Sequence, residues 1–169
     1  MMRYWECRNI GRSASLCFSL GDNMAYVEID IVESVSEYHD EVSRLLLLYE
    51  EWRDDFHKSM IYPIAEYFTH GGFYWIEKRE WETYEESLEF WSDDIETIGF
   101  LAIDDWVRPD GHEQKKLDFL FILKNERRKG YASKAVTKAD FSGDIKSVST
   151  IQTPDGQAFV EAYKKRGIS

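Results

Sequence analysis

Phe119-Leu120-Phe121-Ile122-Leu123-Lys124-Asn125-Glu126-Arg127-Arg128-Lys129-Gly130-Tyr131-Ala132-Ser133 changes character twice. It opens on five apolar residues without alternation, the pattern of a strand covered on both faces. A basic turn containing Gly130 follows, and Ala132, Ala135, Val136 and Ala139 then recur at helical spacing. A buried strand therefore runs through a tight turn into the start of a helix. The first turn of a helix leaves several N–H groups without intrahelical partners and carries a partial positive charge, which together make a receptor for a diphosphate. Gly130 lets phosphates come close to the backbone, Ala132 is small for the same reason, and Arg127, Arg128 and Lys129 add side-chain charge.

Upstream of this stretch, residues 98–107 form a second apolar run, and Arg108-Pro109-Asp110-Gly111 supplies turn chemistry between the two. Residues 98–107 and 117–123 are thus expected to pair as a hairpin at the centre of a sheet. Downstream, a helix over 132–139, a strand over 146–151 and a helix over 155–165 follow, with Thr153-Pro154 as cap and first-turn proline. Nearer the amino terminus, Val27, Ile29 and Ile31 alternate with Tyr26, Glu28 and Asp30 in a strand over 25–32, and shorter apolar stretches occupy 4–10 and 15–20. Ser34-Val35-Ser36-Glu37 reads as a capping box before a long helix. Tyr38, Val42, Leu45, Tyr49, Trp52 and Phe56 make its apolar stripe, and Glu41 is among the acidic residues placed off that stripe. A shorter helix from Pro63 to Tyr67 ends at Gly71-Gly72, and a strand over 73–78 follows. Between 80 and 96 the chain is acidic and aromatic, and its pattern does not decide between helix and loop.

At 169 residues with 43% hydrophobic content, one α/β (α+β) domain over 1–169 is expected. The net charge of −11 and pI near 4.8 set up a field that repels nucleic-acid phosphates and favours a cationic partner or substrate, besides keeping a small protein in solution. Cys7 and Cys17 match no zinc or redox spacing, so two reduced, partly buried thiols are expected, with a disulfide as the alternative. There is no leader-like amino terminus and no apolar run of about 18 residues. The reading is therefore a cytoplasmic protein without a membrane or metal partner, and it leaves the oligomeric state open, a dimer included.

Arg127-Arg128-Lys129-Gly130-Tyr131-Ala132 resembles the Gln/Arg-x-x-Gly-x-Gly/Ala motif with which GNAT N-acetyltransferases bind the pyrophosphate of acetyl-CoA. After one further strand, Ala158-Phe159-Val160-Glu161-Ala162-Tyr163-Lys164-Lys165-Arg166-Gly167-Ile168 resembles the family's Ala-x-x-x-Tyr-x-x-x-Gly-Phe helix ending. The resemblance covers about residues 97–168 and implies a GNAT-like mixed central sheet flanked by helices. It also implies acetyl-CoA as co-substrate and a primary amine as acceptor: a polyamine, an aminoglycoside-like amine, or a lysine or amino terminus of a basic protein. Leu120 and Ile122 would offer main-chain groups to the thioester arm, and Arg127, Arg128, Lys129, Gly130, Tyr131, Ala132 and Ser133 would hold the diphosphate. Tyr163 would protonate the departing thiolate, and a carboxylate would take the amine proton, with Asp118 first and Asp104 and Asp105 next. A packed core aromatic and a solvated strand-end carboxylate are the structural alternatives for Tyr163 and Asp118.

Three departures accompany the resemblance. Asp155-Gly156 stands where the family often has Asn, and Lys124 where many members have Pro. Family members also continue with two more strands after the second motif, whereas this sequence stops at Ser169, which implies an atypically short C-terminus to the sheet. A second functional class is an acidic, non-catalytic binding or inhibitor protein on the same fold, using Trp81, Trp91 and Trp106 as interface anchors.

Overall fold

The structure, a computed structural model, describes residues 16–20, 23–34, 37–53, 57–84, 88–107, 110–140, 145–149 and 154–165, with side chains from residue 27 onward except in 81–94 and 106–107. Six strands and four α-helices alternate along it: β1 (Leu16–Leu20), β2 (Asn23–Glu33), α1 (Tyr38–Trp52), α2 (Ile61–His70), β3 (Phe73–Tyr84), β4 (Leu88–Val107), β5 (Glu113–Ile122), α3 (Tyr131–Ala139), β6 (Ile145–Val148) and α4 (Pro154–Lys165). The strands follow one another in the order β1-β2-β3-β4-β5-β6. β1 and β2 pair antiparallel, as do β4 and β5, whereas β6 joins β5 in parallel. This is the mixed α/β sheet with helices that the sequence implies, and the 98–107 and 117–123 runs do form a hairpin inside it.

The chain divides into two compact units. One takes Met1–Glu28 and Lys78–Glu96, the other Ile29–Glu77 and Thr97–Ser169. In the first, the nearly buried Lys78 ammonium pairs with Glu80 at 3.2 Å and Glu96 at 2.7 Å, which offsets the cost of taking its charge out of water. Residues 80–96, undecided between helix and loop from sequence, are strand wherever described. Pairing between the neighbouring strands β3 and β4 overrides the helix-like spacing of their aromatics.

The second unit holds the larger core. Leu45 and Trp52 of α1 and Ile61 and Ile64 of α2 pack on Phe73, Trp75, Phe100, Ala102 and Phe121 from the sheet. Aromatic rings run through it, with Phe73–Phe100 and Phe100–Phe121 centroids each 5.5 Å apart. Glu41 departs from its expected place. It is 4% exposed, and its carboxylate accepts a hydrogen bond from the Trp75 indole N–H at 2.6 Å. A buried carboxylate needs such a donor, and the reach of a glutamate lets it turn inward from the edge of the stripe.

The capping box does not form. α1 begins at Tyr38 with Glu37 as its cap and no side-chain cap bond. The Ser34 N–H instead donates to the Phe73 carbonyl at 3.0 Å, so a tertiary bond to β3 claims the residue that the local pattern assigns to the helix. Phe56 and the 4–10 stretch lie outside the described residues.

Gly99 fixes how closely β4 and β5 approach at the end that matters. A Cβ there would lie 2.1 Å from the Phe121 carbonyl oxygen, a backbone atom that cannot swing aside. Gly99→Ala is therefore expected to cost about 1–3 kcal/mol through forced backbone displacement. The urea midpoint measures it, and an unchanged midpoint would mean that the two strands do not meet this closely.

Candidate ligand cleft at the end of β5

The β4–β5 ladder carries one irregularity that decides the site. Ala102 pairs with Phe119 and Ile103 with Leu117, so Asp118 is an extra residue on β5 with no partner of its own on β4. Such a bulge reverses the phase of the backbone and places two successive side chains on one side. Both consequences are visible. Before the bulge, the Leu117 carbonyl turns toward β6 and accepts from the Ser149 N–H at 2.9 Å. After it, the Leu123 N–H turns toward β4 and donates to the Ile98 carbonyl at 2.8 Å, so by alternation Leu120 and Ile122 direct their main-chain groups away from β4. Ile122 does so: its carbonyl accepts from Arg127 Nε at 2.8 Å.

On the side-chain level, Asp118 and Phe119 both meet Tyr67 of α2. The Tyr67 hydroxyl donates to Asp118 Oδ2 at 2.8 Å, and its ring packs edge-on against Phe119 at 6.1 Å. The strict alternation expected around Asp118 therefore fails at this residue. Lys116 Nζ pairs with the other carboxylate oxygen at 2.6 Å. Burial pushes the Tyr67 phenol well above its ordinary range; the hydrogen bond to Asp118 and the charges of Asp118, Asp104 and Glu66 push the same way. Asp104 and Asp105 face Lys116 and Lys115 across the ladder.

β6 runs beside β5 only as far as the Leu117–Val148 pair, while β5 continues to Ile122. Past that point lies a cavity of ≈ 380 Å³. Leu120, Phe121 and Ile122 form one wall, Arg127, Arg128 and Gly130 with the first turn of α3 another, and Gly156, Ala158, Phe159 and Ala162 of α4 a third. Gly130 caps α3 in the left-handed conformation, φ 82°, and Arg128 is also left-handed at φ 63°. A Cβ on Gly130 would meet nothing within 4 Å, so the space in front of the helix tip is open. The intrahelical ladder begins with Lys134 N–H to the Gly130 carbonyl at 3.1 Å, so residues 131–133 form the amino-terminal tip of α3 facing the cavity.

The basic side chains have other engagements than the sequence suggests. Arg127 bonds the Ile122 carbonyl, pairs with Asp155 of α4 at 3.1 Å, and lies 5.6 Å over the Phe121 ring. It ties the end of β5 to the start of α4. Lys129 pairs with Glu126 at 3.0 Å, and that glutamate is buried. Arg128 is exposed at the rim.

Tyr131, Ala132 and Ser133 are brought to the cavity with Leu120, Ile122, Gly130 and the two arginines. Lys129, Tyr163 and Asp118 are not on its wall; Asp118 lies two residues upstream of it on β5. Tyr163 stacks on Phe159 at 5.5 Å, and its hydroxyl is buried without a hydrogen-bond partner among the described residues. Burial raises its pKa, Asp140 adds to the rise, and the nearby Thr137 opposes it without reaching good hydrogen-bond geometry. Sequence reasoning missed Tyr67, which it read as the last residue of a short packing helix. The signal was a lone acidic residue, Asp118, between Leu117 and Phe119 in an apolar run, which marks a place where a carboxylate needs a partner.

Fold and cleft define an α/β protein with a ligand-sized cleft at the carboxyl end of a parallel strand pair, where such sheets bind their ligands. No protein-family model matches the sequence, and no curated protein matches it. Solved structures similar to the chain include the aminoglycoside N-acetyltransferase AAC(6')-Iy in complex with CoA, at 14% identity over 85% of this chain and 89% of that one, with a TM-score of 0.49. The ribosomal-protein-alanine N-acetyltransferase of Brucella melitensis biovar Abortus 2308 is 13% identical over 79% and 89% of the two chains, with a TM-score of 0.48. The aminoglycoside acetyltransferase meta-AAC0020 from an uncultured soil metagenomic sample, in complex with sisomicin, is 13% identical over 82% and 87%, also at 0.48.

Two of the contacts of Arg127 are separable. Its ion pair with Asp155 is half open to water and contributes no more than about 1 kcal/mol, whereas its charged hydrogen bond to a strand-end carbonyl is worth about 1.5–3 kcal/mol. Arg127→Ala is thus expected to lower the unfolding free energy clearly more than Asp155→Ala. Equal losses in urea titrations would mean that the ion pair carries the whole effect.

Proposed function

We propose that this chain transfers an acetyl group from acetyl-CoA to a primary amine. One observation carries the reading: a strand whose outward main-chain groups and a helix tip capped by an open, left-handed glycine converge on a single cavity. The residues present suit coenzyme A. The tip of α3 and Arg128 offer N–H groups and positive charge to a diphosphate, and Gly130 leaves room for it. The Leu120 and Ile122 edge of β5 suits the amides of the pantetheine arm, as one extended chain pairs with another.

In this reading catalysis is mostly positioning. The amine nitrogen attacks the thioester carbonyl carbon, the carbon–sulfur bond breaks, the nitrogen gives up a proton and the departing thiolate takes one. A β5 main-chain N–H, that of Leu120, stabilises charge developing on the carbonyl oxygen. Asp118, two residues upstream on the same strand, receives the amine proton. Tyr163 is packing behind Phe159, and the thiolate takes its proton from solvent at the cavity mouth. The net charge of −11 favours an acceptor that arrives as a cation. The side chains of Trp81, Trp91 and Trp106, on which the inhibitor reading rests, lie outside the described residues, and nothing described favours that reading over the enzyme.

Isothermal titration is expected to give acetyl-CoA binding in the common range of about 1 µM to 1 mM. Gly130→Ala should weaken it about tenfold, because an L-residue held left-handed costs about 1–2 kcal/mol. Wild type that binds no acetyl-CoA ends the proposal. Tyr163→Phe removes an unsatisfied buried hydroxyl, so it is expected to leave kcat within about threefold. A loss of about a hundredfold or more would return the tyrosine to the general-acid role.

A further inference from the structure

Tyr67 stands outside everything assigned so far, yet its hydroxyl is among the best-placed polar groups in the second unit. Three elements converge on it. From β5 the bulged Asp118 accepts its proton at 2.8 Å, from β4 Asp104 adds negative charge, and Glu66 of its own helix adds more. Among the described residues the hydroxyl bonds the Asp118 carboxylate, and Lys116 sits on the opposite oxygen of Asp118 at 2.6 Å. A carboxylate has about four lone-pair sites. Two are taken, one on each oxygen, and the rest remain for a third donor.

That arrangement has a geometric logic. Without the bulge, Asp118 and Phe119 would face opposite sides of the sheet. With it, both turn to α2, where the Tyr67 ring meets Phe119 edge-on and its hydroxyl holds the carboxylate. The Asp118 side chain is 21% exposed, so it is neither sealed in the core nor released into bulk water. Such a half-open carboxylate, fixed on both oxygens, keeps one orientation while its remaining lone pairs are accessible. A carboxylate anchored on neither side would rotate freely and lose most of the proximity advantage.

We infer that Tyr67 is a positioning residue of the amine-acceptor site: with Lys116, it fixes the bulged Asp118 carboxylate in the orientation that receives the proton of the incoming amine. The inference rests on the acetyltransfer reading above and adds to it the device that makes Asp118 competent. Tyr67 itself does not give up a proton in the reaction. Its phenol stays protonated, since burial and the surrounding carboxylates oppose ionisation. Its contribution is one charge-assisted hydrogen bond and the ring contact that keeps α2 seated on the bulge.

The test uses the full chain, acetyl-CoA, and a panel of amine probes: spermidine, sisomicin and a lysine-containing basic peptide. Tyr67→Phe removes the hydroxyl and keeps the ring on Phe119, so acetyl-CoA affinity by titration calorimetry and the urea midpoint are expected to stay close to wild type. With the best probe, kcat should fall about 10- to 100-fold, the equivalent of one hydrogen bond to a charged group. KM for acetyl-CoA should stay within about twofold, because the coenzyme side of the cleft is untouched. Asp118→Asn should lower kcat at least as much, and Tyr67→Phe added to it should cost little further, since the two act as one unit. Full kcat in Tyr67→Phe, or losses that multiply in the double variant, would overturn the inference while leaving acetyl transfer standing. Wild type that binds acetyl-CoA yet acetylates no probe would overturn it together with Asp118 as the base. Wild type that binds no acetyl-CoA would remove the reading beneath it, a result visible in the calorimeter before any kinetics are run.

Discussion

One extra residue in one strand organises this site. A ladder of constant phase would turn the Leu120 and Ile122 backbone toward β4, where it would be consumed in the hairpin, and would send Asp118 and Phe119 to opposite faces. The bulge at Asp118 exchanges both arrangements at once. The last turn of β5 then offers its main chain to the cleft, and a carboxylate joins an aromatic on the α2 face. Because β6 parts company with β5 after Leu117, that outward edge meets the cavity and no further described strand. Gly99 supports the same end of the strand from the other side by letting the Phe121 carbonyl come close. Strand phase, strand separation and the glycine contact are therefore not independent features. Each makes sense only if β5 ends as an exposed edge on one side and a packed edge on the other.

Charge in the cleft is arranged so that the positive potential resides chiefly in the backbone. Arg127 and Lys129 stand in a loop that looks strongly basic from sequence, yet their partners are Asp155 and the buried Glu126. Lys116 is matched by Asp118. In a protein of net charge −11 these pairings leave the α3 tip and Arg128 as the main attraction for an anion. A helix tip has an advantage over a mobile lysine here. Its N–H groups are already oriented, so binding need not pay the entropy of ordering a long side chain.

How much of this could be read from the sequence differs by level. The strand–turn–helix at 119–133, the hairpin and the closing helix are legible because their signals are local: an apolar run, a glycine in a basic turn, helical spacing. The capping box failed because a bond from Ser34 to β3 is a tertiary fact with no trace in the four residues themselves. The 80–96 segment misled for a related reason, since cross-strand pairing decided it and the spacing of its aromatics did not. Asp118 was legible as an acidic residue in an apolar strand. Its orientation was not, because a bulge is a mismatch between two strands and cannot be seen in either one alone. Tyr67 stayed hidden for the same reason: its importance comes from what lies across from it.

A site made mainly of backbone also constrains sequence in an unusual way. Side-chain recognition fixes residue types at every contact, but main-chain recognition fixes only what lets the backbone be reached. In this cleft those requirements reduce to Gly130 at a left-handed position, small residues such as Ala132 and Ala158 beside it, and a strand whose phase turns outward. Most other positions around the cavity can change freely provided they stay apolar or solvated as their faces demand. Substrate choice is different, because it depends on side chains that meet a variable acceptor. In the proposed reading such side chains come from the α2 and β4 side of the bulge, where Tyr67, Asp104 and Asp118 gather. In that reading the coenzyme meets the outward edge of β5 and the acceptor meets the α2 side of the same strand. Side chains on the α2 side can therefore change without disturbing the backbone edge that faces the cleft.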